Sequence, residues 1–246
     1  MRNLHSTVEV VGTILLLLVP GTLARPVHQS EADRFRLERD RMVSRQIQAR
    51  GIDDPQVLSA MRAVPRHLFV PNRYRDQAYD DHPLPIGLGQ TISQPYIVAL
   101  MTQLAAPDPD DVVLEVGTGS GYQAAVLAQL VDTVYTVEIL QQLGDQASER
   151  FKRLGYANVE PRVADGYYGW EEHAPFDAIV VTAAAEHIPP PLIRQLKPGG
   201  VMVIPVGNRF QVQSLMLVEK TKEGKTTSRS LLPVRFVPLV GKHGKR

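Results

Sequence analysis

The sequence contains no cysteine. That absence excludes disulfides, thiolate nucleophiles, cysteine-ligated metals and lipid attachment through cysteine. An excess of charge is also lacking: 27 basic and 26 acidic residues leave a formal net charge of +1. Proteins that grip nucleic acid carry a basic footprint, so no nucleic-acid partner is expected. His67, His82, His173 and His187 show no H-E-x-x-H or similar spacing, and no metal site is expected. There is no internal repeat and no low-complexity tract. The apolar run at 10–19 (VVGTILLLLV) is too short to span a bilayer comfortably.

The chain has 246 residues, of which 43% are hydrophobic and 22% charged. This suits one soluble α/β domain with a short extension. At the N-terminus Arg2 precedes the apolar run, and a Pro-Gly break leads to Thr22-Leu23-Ala24. That order matches a secretory signal over 1–24, which would place the mature protein in the periplasm with no stable membrane association. Glu9 departs from the pattern. An upstream extension from a mis-assigned start, or an uncleaved anchor, is the alternative, and a non-functional signal would leave the protein cytoplasmic. Residues 25–40 read as a linker and helix start, 41–240 as the main domain, and 241–246 (GKHGKR) as a basic tail.

Residues 31–50 predict an amphipathic helix stopped by Gly51. A second helix follows over 56–63, capped by the Asp53-Asp54-Pro55 start and ended by Pro65. Residues 65–89 have no periodicity and read as irregular. The next helix runs to about Ala105, with Ser93 able to cap it and Pro95 in its first turn. From there helices (123–130, 140–154, 190–196) alternate with strands (112–116, 133–138, 159–163, 176–182, 201–206), and 197–200 reads as a turn. Two antiparallel strands close the chain at 212–219 and 226–233. The expected fold class is α/β: a doubly wound, mostly parallel sheet with antiparallel C-terminal edge strands and an N-terminal helical extension.

Residues 112–122, VVLEVGTGSGY, carry the strongest chemical signal. An apolar strand runs into a turn in which Gly117, Gly119 and Gly121 alternate with Thr118 and Ser120. Glycine admits positive φ and lets a ligand lie against bare backbone. A turn of this kind at a strand's carboxyl end, opening a helix, is where α/β sheets bind nucleotide-like cofactors. The spacing is G-x-G-x-G rather than G-x-G-x-x-G, which favours S-adenosylmethionine (SAM) over a dinucleotide. Glu138 ends the next strand roughly 20 residues on, the separation at which a carboxylate accepts from ribose hydroxyls. Ala164-Asp165-Gly166 closes the following strand. Asp165 there either accepts from an adenine amino group or forms a plain Asp-Gly turn. Gly117, Thr118, Gly119, Ser120, Glu138, Asp165 and Gly166 are therefore the candidate cofactor contacts. Trp170, the only tryptophan, either flanks adenine or packs in the core.

From about 41 to 239 the residues resemble the protein-L-isoaspartate O-methyltransferases, SAM-dependent enzymes of damaged-protein repair. The resemblance is carried by MVSRQIQARGI (42–52), VPRHLFVP (64–71), GQTISQPY (89–96), the glycine turn, and 165–170, 176–184, 196–207 and 234–239. It implies the SAM-dependent methyltransferase fold and methyl transfer to the free α-carboxylate of L-isoaspartyl residues in damaged proteins and peptides, which starts repair through a succinimide. By that resemblance Ser93 matches the active-site serine, and Thr182 and Ala183 join the cofactor contacts. Leu88, Thr91 and Ile92 line the approach to the methyl group, and Val237, Pro238 and Leu239 border the substrate peptide. The implied protein works as a monomer. Two rival readings keep the same turn: a small-molecule SAM-dependent O-methyltransferase, and a non-catalytic reader of isoaspartyl sites.

Overall fold

A computed structural model describes residues 30–208 and 211–241. The expected signal at 1–24 and the tail at 242–246 lie outside the described residues. Helix α1 (Glu31–Met42) starts at Ser30, whose side chain accepts from the Asp33 N–H. The single helix expected over 31–50 changes pitch. It passes into a π turn (Val43–Ile47) and then a 3-10 turn (Gln48–Arg50) before Gly51. The wider turn lets adjacent Met42 and Val43 enter the core together with Ile47. Phe35 is buried in the same core, so the packed unit begins ahead of residue 41. Helix α2 (Pro55–Ala63) starts as expected: the Asp54 carboxylate accepts from the Gln56 and Val57 N–H groups.

The stretch expected to be irregular contains two 3-10 turns (Arg66–Leu68 and Asn72–Gln77) and most of a β-hairpin. The hairpin joins β1 (Leu84–Gly87) to β2 (Gln90–Ile92). Its strands are too short to show a period, and Leu88-Gly89 is not one of the dipeptides that announce a tight hairpin turn. Thr91 and Ile92 are therefore strand residues, not the start of a helix. Helix α3 (Pro95–Ala105) follows.

The main sheet then forms from β3 (Val112–Val116), β4 (Thr133–Glu138), β5 (Val159–Val163), β6 (Phe176–Val181), β7 (Leu196–Val206), β8 (Gln213–Lys220) and β9 (Thr226–Val234). Its order is β5-β4-β3-β6-β7-β8-β9, parallel through β7 and antiparallel beyond. Between the strands lie α4 (Tyr122–Leu127), α5 (Gln141–Leu154) and α6 (Pro190–Gln195). Alternate residues of the central strands face opposite layers. Val113, Val134, Ala178 and Val203 pack with residues of α1 to α5. Leu114, Val137, Ile179 and Met202 pack with Leu192 of α6. The expected turn at 197–200 is a register irregularity inside β7, where the pairing jumps from Phe176–Leu196 to Ala178–Val201.

Arg66 couples the N-terminal layer to the sheet. It is wholly buried, its Nε donates to the Ala78 carbonyl at 2.7 Å, and its guanidinium lies 5.0 Å from the ring centre of Tyr122. Burial pushes its pKa down to about 10, so it stays charged at neutral pH. It thus holds the 66–78 loop against the first residue of α4. Neighbouring His67 stacks on Phe35 with 4.0 Å between ring centres and shares a 2.7 Å hydrogen bond with the Tyr79 hydroxyl. Burial, reinforced by Arg39, Arg75 and Arg34, pushes its pKa down to about 4. That neutral, stacked imidazole orders the loop.

Candidate active site

Strand order reverses at β3, which has β4 on one side and β6 on the other. Ligands of such sheets bind at the carboxyl ends beside the reversal. A solvent-connected cavity lies there, at a place where small-molecule sites of such sheets are expected. The turns after β3, β4, β5 and β6 each contribute to its wall through Gly117, Ile139, Gly166 and Thr182.

The turn after β3 is bound to its neighbours on both sides. The Gly117 and Thr118 N–H groups donate to the Val137 carbonyl at 2.8 and 3.3 Å. The Thr182 hydroxyl donates to the Gly117 carbonyl at 2.6 Å. Gly117 has φ +102, and a Cβ there would come within 2.5 Å of Thr182 Oγ1. Both the conformation and the space demand glycine. Buried Glu138 accepts from the Gly119 N–H at 2.8 Å through Oε2 and from the Leu140 N–H at 2.9 Å through Oε1. Its carboxylate therefore clamps the glycine turn to the start of α5. The hairpin closes over this turn, with Ile86 Cδ1 3.4 Å from where a Cβ on Gly119 would stand.

Two buried polar residues of the lining were not among the sequence candidates. Glu115 is wholly buried, and its Oε2 accepts from the Thr136 hydroxyl, which itself lies 2.6 Å from Thr118 Oγ1. Its Oε1 has no partner. Gln123 donates Nε2 to Thr102 Oγ1 at 2.8 Å and also leaves a buried Oε1 without a partner. Burial pushes the Glu115 pKa up to about 8, and nearby Glu138 adds to the rise, against the hydrogen bond from Thr136. The available signal was a carboxylate inside the apolar strand VVLEV, a residue almost never buried without a role.

A second groove, lined by Thr91, Ser93, Thr182 and Val237 among others, abuts the cavity, and these four residues line both. Ser93 is half-buried in the shared wall. It does not cap α3: the N-cap position is Gln94, and no side chain caps that end. Pro95 occupies the first helical position and fixes the boundary one residue later than the serine would need. The Ser93 hydroxyl therefore has no competing helix-end bond. On the opposite wall, residues 236–240 are tied down by Ala184 and Gln213. Ala184 N–H donates to the Val237 carbonyl, Leu239 N–H to the Ala184 carbonyl, both at 2.8 Å, and Phe236 N–H to Gln213 Oε1 at 2.9 Å.

Of the sequence candidates, Ser93, Thr91, Ile92, Gly117, Thr118, Gly119, Ser120, Glu138, Gly166, Thr182, Ala183, Val237, Pro238 and Leu239 all line the main cavity. Leu88 and Asp165 do not. Leu88 forms the hairpin tip and is 53% exposed. Asp165 turns its carboxylate onto the Tyr167 N–H at 3.1 Å and abuts Gly241, leaving the wall to Gly166. Trp170 also lies away from the cavity, packed edge-on to Tyr135 with 5.2 Å between ring centres.

The sequence was compared with known families and proteins. The family model described as protein-L-isoaspartate(D-aspartate) O-methyltransferase matches residues 37–244. Protein-L-isoaspartate O-methyltransferase 1 of Cupriavidus necator is 65% identical over 190 residues, covering 77% of this chain and 73% of that one. The enzyme of the same name from Nitrosospira multiformis is 58% identical over 214 residues, covering 86% and 91%. Among solved structures, a protein-L-isoaspartate O-methyltransferase superposes with a TM-score of 0.74 at 30% identity, covering 82% of this chain and 66% of that one. A Plasmodium falciparum structure described as the same kind of enzyme, in complex with S-adenosyl-L-homocysteine, gives 0.71 at 27% identity, covering 82% and 98%.

Proposed function

The chain belongs to the protein-L-isoaspartate(D-aspartate) O-methyltransferase family, and we propose that it transfers the methyl group of SAM to the free α-carboxylate of L-isoaspartyl residues in damaged proteins and peptides. The observation that carries this reading is the shared wall. Ser93, Thr91, Thr182 and Val237 border both the cavity at the strand ends and the groove beside it. A small donor molecule and a large acceptor can therefore meet at Ser93 from opposite sides.

The cavity suits SAM in its own chemistry. Bare backbone at Gly117 and Gly119 admits close approach, and the Glu138 carboxylate has lone pairs left for ribose hydroxyls. The orphaned Glu115 Oε1 and Gln123 Oε1 offer acceptors for an ammonium group. An ammonium donating to them removes the cost of leaving buried acceptors unpaired. Gly166, Ala183 and Leu140 border the rest of the cavity and would hold the adenosine part. When bound, SAM supplies an electrophilic methyl group on a sulfonium.

The acceptor needs little activation. A free α-carboxylate has a reference pKa of about 3.5 and is ionised at neutral pH. The protein's task is to hold it in line and exclude water, an effect that can contribute about 7–11 kcal/mol. Ser93 donates its hydroxyl hydrogen to one carboxylate oxygen and leaves the other to react. No nucleophilic role falls to it. The methyl ester so formed is a better leaving group than the carboxylate. Attack by the next backbone nitrogen expels methanol and closes a succinimide, whose hydrolysis returns part of the chain to normal aspartate. The protein would act as a monomer, which size-exclusion chromatography with light scattering tests. Residues 1–24 would direct export, and cell fractionation of a full-length and a truncated form tests that.

The deciding experiment is transfer from labelled SAM to an isoaspartyl peptide, with the matched aspartyl peptide as control. Base-labile label on the isoaspartyl peptide alone is expected. Transfer to neither, with SAM still bound, would point to a small-molecule acceptor or a silent reader. Ser93→Ala should lower kcat by about 100- to 1,000-fold with SAM affinity retained, the scale for loss of one oriented donor. Equal losses in turnover and SAM binding would remove Ser93 from its role.

A further inference from the structure

The groove beyond Ser93 mixes polar and apolar surface, with Thr91, Gln94 and Thr182 beside Ile97, Val212, Phe236 and Val237. One lining residue is charged. Arg235 stands between Val234 and Phe236, exposed, at the rim. The ion pairs of the described residues join Arg34 to Asp76, Arg36 to Asp33 and Asp40, Arg50 to Asp81, His82 to Asp80, Arg162 to Glu172 and Lys197 to Asp177. Arg235 enters none of them, nor any side-chain hydrogen bond among those residues.

We propose that Arg235 selects among damaged sites by pairing with an acidic side chain on a residue that flanks the isoaspartyl group. This rests on the methyl-transfer reading above. If the reacting carboxylate lies at Ser93 and SAM fills the cavity, the adjoining peptide must leave along the groove on the other side of the shared wall. The flank then passes the rim where Arg235 stands. A guanidinium with no side-chain partner among the described residues has little to give up on meeting a carboxylate, and its planar fork suits one. Charges at a rim act mainly on encounter and discrimination, and like charges there repel. The groove therefore favours Asp or Glu beside the damaged residue and disfavours Lys or Arg.

The test uses isoaspartyl peptides that differ only in carrying Glu, Gln or Lys beside the damaged residue, with one set varied before it and one after. In the wild-type enzyme, kcat/KM should be about 3- to 10-fold higher for Glu than for Lys in at least one set at low salt, a scale set by exposed charge pairs. The ratio should shrink as salt is added. Arg235→Gln should bring it close to one, Arg235→Glu should invert it, and Arg235→Lys should keep its sign. A loss of folding or of loop packing would not invert a ratio between peptides. A Glu-to-Lys ratio unchanged in Arg235→Glu would overturn the proposal. So would a fall in kcat shared equally by all peptides, which would assign Arg235 to the reacting carboxylate itself. If the wild-type enzyme methylates none of the peptides, the methyl-transfer reading fails instead, whatever Arg235 does.

Discussion

The two sides of the Ser93 wall are built differently. On the cofactor side, the contacts gather at the carboxyl ends of β3, β4, β5 and β6, and the turn after β3 is locked by internal bonds. Glu138 joins Gly119 to Leu140, Thr182 holds Gly117, and Thr136 links Thr118 to Glu115. On the substrate side, a short hairpin faces a strap some 140 residues later in the chain, and Leu88 and Val212 are each more than half exposed. A small donor is the same molecule at every turnover, so its site is best fixed in advance. A damaged site can occur in any protein, so the acceptor surface must stay open and take extended chain with few fixed demands. Rigidity is concentrated where the ligand is constant.

The largest way to break the contrast is Gly117→Ala. The new methyl group would clash with Thr182 Oγ1 and take up a φ that alanine resists. Relief requires swinging the Thr182 hydroxyl off the Val116 and Gly117 carbonyls, or moving the turn. SAM affinity should fall by at least about 100-fold, and stability by about 1–3 kcal/mol. Calorimetric titration and thermal unfolding read the two effects. Retention of both affinity and stability would mean that the turn is not preorganised.

Glu115→Gln is the next in size and separates charge from shape. Its carboxyl pKa is raised from 4.5 to about 8. A raised carboxyl pKa means that the unfolded chain ionises first. The contribution of Glu115 to stability is complete below about pH 4.5 and is lost progressively up to about pH 8. For a buried group this is on the order of a few kcal/mol. Free of SAM, Glu115→Gln should therefore unfold at a higher temperature than wild type at pH 9, with the two converging near pH 5. A ligand ammonium facing Glu115 favours its ionised form. Wild-type SAM affinity should then rise with pH up to about 8, while the variant binds at least about 10-fold more weakly on a flatter profile. Parallel pH profiles for the two proteins would take Glu115 out of the ammonium site.

The same contrast explains what could be read without the structure. The cofactor side was legible because its signals are local. A glycine turn, an acidic strand end and an Asp-Gly stop each follow a strand of clear apolar pattern, and the strand order then brings them together. Glu115 was overlooked because its position inside an apolar strand hides it from a search at strand ends. The substrate side was legible only through family resemblance, which singled out Ser93, Thr91 and Val237. The residues alone suggested that Ser93 caps a helix, since serine before proline so often does. Two strands of four and three residues give no period, so the hairpin that moves Ser93 into the wall went unseen. The pitch change in 43–50 went unseen for a related reason: a single widened turn leaves the apolar spacing nearly intact.

The smallest expected effect lies at the hairpin tip. Leu88 and Gly89 form the two-residue turn, with φ +52 and +72. Positive φ at both positions is the geometry that matches strand twist in a tight hairpin. For leucine it costs roughly 1–2 kcal/mol. Strain at an exposed apolar residue with no packing in return points to a contact made only with the substrate. Asparagine accepts this backbone conformation far more readily. Leu88→Asn should therefore leave thermal stability equal or slightly higher, while KM for an isoaspartyl peptide rises by about 2- to 5-fold, the scale of a partly buried apolar contact. SAM affinity, read in the same variant, should not move, because Leu88 lies outside the main cavity. A KM equal to wild type would end the substrate side at Thr91 and leave the leucine's strain unexplained. A loss of SAM affinity would mean instead that the hairpin, through Ile86 on the glycine turn, belongs to the rigid half.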